Sequence, residues 1–220
     1  IYGYLPFMCI LGVVSVVLLK QPDFGQTVTI ALMAFLLLFI ARASSKHILY
    51  TIVPLIPATA LLVLLKPYRF KRILTFLNPW QDPTGAGFQI IQSLIAIGSG
   101  GLWGVGIANS KQKYFYLPMQ HTDFIFSIIA EETGLLGALA IVILYCMFMY
   151  WGMKLSALLK DPFSSYVVLG YVLLITIQTL MNLAVVTGLV PTKGIGLPFI
   201  SYGASSLVSN FLLLGIVIQC

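Results

Sequence analysis

Six long apolar stretches constrain this chain more than any other feature of its sequence. A helix needs about 20 residues to cross the hydrocarbon of a bilayer, and about 17 suffice in the shortest cases. The stretches cover residues 3–19, 26–41, 48–65, 134–153, 165–187 and 204–219. Hydrophobic residues make up 60% of the sequence and charged residues 8%, which excludes a soluble globular domain because its surface would need more charge. We therefore expect an all-α multi-pass membrane protein with about six transmembrane helices.

The connection across residues 66–133 is much longer than the others and lies within one expected membrane domain, residues 1–220. Its apolar stretch at 88–97 is too short for a span, so we expect a short interfacial or re-entrant helix there, which the glycines within 98–101 should end. Aromatic residues recur along this connection, and aromatic residues favour the level of the lipid headgroups. We expect the long loop to lie on the membrane and partly in it.

Most of the lysines and arginines fall on the side of the membrane that carries the long loop. A simple positive-inside rule would place that side in the cytoplasm, but the rule weakens for loops of about 60 residues or more. Composition therefore leaves the sidedness open. A cationic patch kept on an outward face would suit an anionic lipid headgroup such as a pyrophosphate.

His121, Thr122 and Asp123 lie at the boundary between the polar end of this loop and a long apolar stretch. The chain has only six acidic residues, and an acid at the edge of the membrane is a functional candidate. The structural alternative is that Thr122 or Asp123 caps the following helix. The residues alone favour neither interpretation.

A series of motifs, taken together, resembles the SEDS family (shape, elongation, division and sporulation), and within it the division and sporulation branch. The motifs are QPDFG at 21–25, PYRFKR at 67–72, NPWQDP at 78–83, GFQIIQS at 87–93, GVG at 104–106, NSKQK at 109–113, HTDFIF at 121–126, PTKG at 191–194 and LPFISYG at 197–203. Two positions depart from the family pattern: Met119 stands where a glutamate is usual, and Ala204 where a glycine is usual.

The resemblance implies a ten-span glycosyltransferase of the bacterial cytoplasmic membrane that polymerises lipid II into peptidoglycan strands. This chain would hold the last six spans, and the long loop would face the periplasm or the cell exterior. The implied partners are lipid II and the undecaprenyl-pyrophosphate-linked glycan, a cognate class B penicillin-binding protein and other division proteins. No nucleic acid and no organic cofactor is expected, and a divalent cation, Mg or Mn, could bind together with the substrate pyrophosphate.

Such a reaction needs a base at the acceptor sugar hydroxyl and positive charge at the leaving pyrophosphate, so Asp123 is the expected general base. The expected substrate-binding residues are Arg69, Lys71, Arg72, Gln92, Lys111, Lys113, His121, Lys193 and Ser201. Structural alternatives stay open for several of them: Lys193 as a snorkelling lysine, Arg69 as an interfacial anchor and His121 as a structural histidine.

Two other classes of function compete with the glycosyltransferase. A lipid II flippase would use polar groups within the membrane to conduct the headgroup, with Asp123 as a gate. A secondary transporter would carry ionisable residues within its spans. The interiors of the expected spans are nearly devoid of such residues, which argues against the transporter.

Overall fold

The computed structural model describes residues 4–21, 24–112 and 121–220, and this part of the chain contains helices and no strand. The all-α prediction is therefore confirmed. The helices are α1 (Tyr4–Lys20), α2 (Phe24–Ile40), α3 (Ser45–Leu64), α4 (Pro67–Leu77), α5 (Phe88–Gly100), α6 (Ile125–Leu158), α7 (Pro162–Val186) and α8 (Ala204–Gln219), with a 3-10 turn at Pro79–Gln81.

Each of the six predicted apolar stretches coincides with one of these helices. Three of them, α3, α6 and α7, are long and apolar enough to cross a membrane. The helices α1, α2 and α8 are equally apolar but have 17, 17 and 16 residues. Large apolar side chains point outward, such as Phe39 and Ile218, which are 65% and 77% exposed. Exposed apolar faces of this kind suit contact with lipid. The chain therefore belongs to a multi-pass membrane protein, and the count of six spans stays a prediction.

The centre of the bundle is α7, which packs against α2, α5, α6 and α8. Its contact with α6 is close at Gly152, because a Cβ there would lie 2.4 Å from Cγ2 of Val172. Near the other end of α7, Val186 shares a buried cluster with Phe124 and Leu197. The turn at residues 121–124 and the segment before α8 are therefore both anchored on the core.

A break at Gly134 divides α6 into two parts. Gly134 has a φ of 69°, a conformation that favours glycine, and the helix does not continue regularly through it. The loop after α5 fills the break with main-chain hydrogen bonds: the N–H of Leu135 donates to the carbonyl of Gly101, and the N–H of Val105 donates to the carbonyl of Glu131. Residues that follow the break thus form the expected span, and residues 125–133 form a separate short helix beside α5.

The short helix expected at 88–97 is present as α5, which runs three residues further, to Gly100. The glycines at 98 and 100 do not end it; Gly101, with a φ of 54°, does. Packing explains the glycine at position 100. The backbone there lies so close to α6 that a Cβ would stand 2.1 Å from the carbonyl oxygen of Ala130. Glycine there serves helix contact rather than termination.

Candidate active site

A pocket of about 290 Å³, called here the first pocket, lies between α2, α4 and the segment that follows α7. Three of the predicted substrate-binding cations, Arg69, Arg72 and Lys193, line it together. Its other walls are largely apolar, with Val28, Val63 and Ile73 among them, besides Phe24, Gly25, Tyr68, Met181, Val190, Pro191, Thr192 and Gly194. The fold thus gathers positive charge from distant parts of the sequence into a site with apolar walls.

Both arginines are held in place by backbone and aromatic contacts. Nη1 of Arg69 donates to the carbonyl of Leu62 at 2.9 Å, and its guanidinium lies 5.1 Å from the ring centre of Phe24. Nη1 of Arg72 donates to the carbonyl of Thr192 at 3.2 Å. A guanidinium has five N–H donors, so each arginine keeps further donors for an anion.

Lys193 reaches from the segment after α7 to α2. Its Nζ lies 2.6 Å from Oγ1 of Thr29, whose hydroxyl donates to the carbonyl of Gly25 at 3.1 Å. The lysine stem passes directly over Gly25, where a Cβ would lie 2.3 Å from Cε of Lys193. Sequence reasoning placed Lys193 in the cavity but missed Thr29 and Gly25, although Gly25 ends the QPDFG motif.

Asp123 is partly buried and reaches the rim of the first pocket. Its Oδ2 lies 3.3 Å from the position that a Cβ on Gly194 would occupy, and Gly194 lines the pocket. Burial raises the pKa of the Asp123 carboxyl above its usual value, and a hydrogen bond from the side chain of Thr122 partly opposes this effect. The carboxyl thus lies next to the basic pocket, at its edge rather than in its wall.

The capping interpretation of this acid finds no counterpart in the geometry of α6. The N-cap residue of α6 is Phe124, whose side chain makes no capping hydrogen bond. The cap position is therefore taken by Phe124 rather than by Thr122 or Asp123.

A buried amide and a hydroxyl tie the turn at 121–124 to the segment before α8. Nδ2 of Asn182 in α7 donates to the carbonyls of Asp123 and Ile195, both at 2.7 Å. Oγ of Ser201 donates to the carbonyl of Thr122 at 2.6 Å and accepts from the N–H of Leu197 at 2.5 Å. Ser201, predicted to bind substrate, thus has structural contacts here. Asn182 was missed, although an amide side chain in an apolar helix is a usable signal, which α7 offers at Gln178 and Asn182.

A second pocket, of about 330 Å³, lies on the other side of Arg72. It shares Tyr68, Arg72 and Thr192 with the first pocket. Its remaining walls are Lys71, Thr75, Thr84, Gly85, Ala86, Phe88 and Gln89. Lys71, another predicted substrate-binding residue, therefore lies in a different pocket from Arg69 and Lys193.

The other predicted residues lie away from both pockets or outside the described chain. Gln92 is partly buried on α5, and Lys111 is exposed; neither lines the first or the second pocket. His121 is exposed, and its carbonyl accepts from the N–H of Tyr202 at 2.8 Å. Lys113 lies outside the described residues, as does the departure at Met119; Ala204 is the first residue of α8. Binding roles for these residues stay predictions.

Glu131 holds residues 110 and 111 of the long loop in place through buried hydrogen bonds, a role that was not predicted. The side chain is 2% exposed, and it accepts hydrogen bonds from the hydroxyl of Ser110 and, at 3.1 Å, from the N–H of Lys111. Because Glu131 belongs to the short helix that follows Asp123, it ties the chain before the turn to the chain after it.

The site offers little to hold a metal ion by itself. Among the residues that the structure describes, no group of three or more His, Cys, Asp or Glu side chains lies close enough to bind one. Asp123 could supply one carboxylate oxygen, a ligand that Mg and Mn accept, and a divalent cation would take its other ligands from substrate phosphates and water.

Comparison with known proteins identifies the family. The model of the FtsW/RodA/SpoVE family, described as cell cycle proteins, matches residues 1–220. The chain is 45% identical over 217 residues to a probable peptidoglycan glycosyltransferase FtsW of Geobacter metallireducens, covering 99% of this chain and 58% of that protein. It is 41% identical over 217 residues to the stage V sporulation protein E of Bacillus subtilis, covering 99% of this chain and 59% of that protein.

A solved structure agrees with this assignment. That structure is described as showing the structural coordination of polymerization and crosslinking by a peptidoglycan synthase complex. It matches the present chain with a TM-score of 0.76 and a sequence identity of 31%. The match covers 100% of this chain and 62% of the solved one, so the chain spans less than two thirds of the proteins it resembles. The chain belongs to the FtsW/RodA/SpoVE family, which is the SEDS family that its motifs predicted.

Proposed function

We propose that the full-length protein containing this chain is a peptidoglycan glycosyltransferase that polymerises lipid II during cell division. It would act in the bacterial cytoplasmic membrane, with the site on the outer side. Relatives named as probable peptidoglycan glycosyltransferases support this activity. The single observation that carries the mechanism is the position of the Asp123 carboxyl beside Gly194, at the rim of a pocket that holds three cations.

In the proposed reaction, a hydroxyl of the acceptor sugar attacks the anomeric carbon of a glycan held on undecaprenyl pyrophosphate. A new C–O bond forms, the bond from the anomeric carbon to the phosphate oxygen breaks, and the configuration inverts. Asp123 takes the hydroxyl proton, a role typically worth about 10²–10⁴ in rate. The electron pair of the broken bond leaves on the pyrophosphate.

The cations of the first pocket suit that leaving group. Arg69, Arg72 and Lys193 would hold the diphosphate through charge-assisted hydrogen bonds, and the apolar walls would lie against the start of the lipid. A divalent cation would supply further positive charge on the phosphates.

Partial burial suits Asp123 to its proposed role. Burial raises the pKa of this carboxyl, mainly because the charged form loses water. A carboxylate with a raised pKa is a stronger base than an ordinary aspartate and remains ionised once the pH exceeds that pKa.

The proposed partner is a class B penicillin-binding protein that crosslinks the new strands, together with other division proteins. A solved relative belongs to a complex that couples polymerization and crosslinking, which supports a partner of this kind.

The test uses purified full-length protein, reconstituted with its partner and supplied with labelled lipid II. We expect Asp123→Asn to abolish polymer formation and Asp161→Asn to leave it unchanged. Asp161 is the matched control because it is fully exposed and lies at the start of α7, far along the helix from Asn182. Asparagine caps a helix about as well as aspartate, so the control should fold normally.

Polymer made by Asp123→Asn at the wild-type rate would contradict the general base. Wild-type protein that moves lipid II across vesicles and never extends a chain would instead favour the flippase. Loss of polymer in both variants would indicate a general folding defect, and circular dichroism of each variant checks that outcome directly.

A further inference from the structure

We propose that the second pocket is a separate substrate subsite that binds an anionic, hydroxyl-bearing headgroup, namely that of the acceptor molecule. The anion would be a phosphate or a carboxylate of a lipid-linked muropeptide. This inference deepens the proposed function and rests on it. The juxtaposition that carries it is a pocket with Lys71 and several neutral polar residues in its walls, which shares Arg72 with the first pocket.

The two pockets share a wall that is firmly held. The guanidinium of Arg72 lies 4.4 Å from the ring centre of Tyr68, and its Nη1 donates to the carbonyl of Thr192. All three residues line both pockets. Two ligands bound on either side would therefore lie next to each other, as transfer between two lipid-linked molecules requires.

The walls of the two pockets differ in chemistry. The first has three cations and a largely apolar lining, which suits a diphosphate and the lipid attached to it. The second adds Lys71 to the hydroxyls of Thr75 and Thr84 and the amide of Gln89. The ammonium of Lys71 and the shared guanidinium of Arg72, together with these neutral polar side chains, suit an anion within a hydroxylated sugar or peptide headgroup.

The ammonium of Lys71 is accessible to such a ligand. Its Nζ lies 3.6 Å from Oδ2 of Asp82, and the two side chains are 66% and 44% exposed. An exposed ion pair of this kind is weak, so an incoming anion can compete for the lysine at little cost. Asp82 keeps a second contact, because its Oδ2 accepts from the N–H of Ala86 at 3.1 Å.

The experiment measures binding and KM of lipid II with full-length protein in nanodiscs. We expect Lys71→Gln to raise KM by about two- to fivefold and to leave kcat nearly unchanged. Lys66→Gln is the matched control: it removes the same charge next to α4, but Lys66 lines neither pocket. An equal rise in KM for both variants would mean that general surface charge is responsible, and it would overturn the subsite.

A further variant separates ligand binding from the ion pair. Asp82→Asn breaks the pair with Lys71 and keeps an oxygen that accepts from Ala86. If Lys71 binds substrate, Asp82→Asn should leave KM unchanged or lower it. If Asp82→Asn raises KM as much as Lys71→Gln does, the pair has only a structural role and the proposal fails.

Ligand truncation identifies the anion. Binding of lipid II and of the same lipid without its stem peptide is compared between wild type and Lys71→Gln. Equal loss of affinity for both ligands indicates a phosphate, and loss for the peptide-bearing ligand alone indicates a carboxylate. No loss for either overturns the subsite. Binding can be measured without turnover, so the subsite and the proposed function are tested separately. If lipid II binding depends on Lys71 but the wild-type protein makes no polymer, the subsite is supported and the proposed function is contradicted.

Discussion

The side-chain amide of Asn182 joins the main chain of Asp123 to that of Ile195. Nδ2 donates to both carbonyls at 2.7 Å, and Asn182 is 1% exposed. Two acceptors face the amide nitrogen, so the orientation of the side chain is determined by its partners. The position of the candidate base therefore depends on a buried residue of α7, almost 60 residues further along the chain.

Replacing this amide should disturb both stability and activity. Asn182→Leu keeps the approximate volume but leaves two carbonyls without their donor, which should cost about 1–3 kcal/mol per group left unpaired and buried. We expect a lower melting temperature and a kcat reduced by tenfold or more, because the Asp123 turn loses its anchor. Thermal unfolding and lipid II polymerisation measure the two effects.

The control on the same helix is Thr176→Val. Oγ1 of Thr176 is buried with no hydrogen-bond partner among the residues that the structure describes, so a methyl group in its place should be neutral or slightly stabilising. If Thr176→Val loses as much activity as Asn182→Leu, the loss reflects a general sensitivity of α7 to substitution. That result would contradict a specific role for Asn182 in holding the Asp123 turn.

The raised pKa of Asp123 predicts the pH dependence of the reaction. A general base must be ionised, so the rate should fall as the pH drops through this pKa. The acidic limb of the pH–rate profile should therefore lie above about 3.9, the ordinary value for aspartate. A profile with no acidic limb above that value would contradict the assignment.

The same shift predicts how the acid affects stability. A carboxyl whose pKa is raised in the folded state favours folding in its protonated form, and this contribution is lost as the pH rises through the folded-state pKa. Asp123→Asn removes the charged form. We expect its melting temperature at neutral pH to equal or exceed that of the wild type while polymerisation is lost. A clearly lower melting temperature would indicate that the ionised carboxylate stabilises the fold.

Gly25→Ala should displace Lys193 without touching its charge. The new Cβ would lie 2.3 Å from Cε and 2.6 Å from Cγ of Lys193, so the lysine must leave its contact with Thr29. If that position serves diphosphate binding, KM should rise by about tenfold. Gly12→Ala in α1 is the control, since nothing lies within 4 Å of its added methyl group. Similar kinetics for the two variants would argue against a fixed position for Lys193.

Glu131 and Ser110 should behave as a coupled pair. Glu131→Gln and Ser110→Ala each disturb the buried hydrogen bond between them, and each should cost about 1–3 kcal/mol. The double variant should cost less than the sum, with a coupling of about 0.5–3 kcal/mol in chemical denaturation.

A second cycle calibrates the first. Thr59→Val removes a hydroxyl that donates only locally, to the carbonyl of Ile56 at 2.8 Å in α3. Because the main contacts of α3 are with α2 and α4, its effect should add to that of Glu131→Gln. Additivity in both cycles would mean that Glu131 does not act through Ser110.

The helices were largely predictable because their signal is local. Apolar runs with breaker residues between them located all six long helices and α5, since hydropathy and chain length decide what can lie in a membrane. The break at Gly134 was not predicted. Its cause is the docking of a distant loop, at Gly101 and Val105, and no local pattern reveals which loop fills a helix break.

The candidate site residues were proposed from the sequence, and their grouping was decided by the tertiary structure. Composition and motifs singled out Asp123, Arg69, Arg72 and Lys193, because charge is scarce in this chain and therefore conspicuous. That Lys71 lies in a separate pocket, and that Asn182 and Ser201 brace the acid's turn, follows from packing of α4, α7 and the segment before α8. Contacts between residues far apart in sequence depend on the arrangement of whole helices, which no single segment encodes.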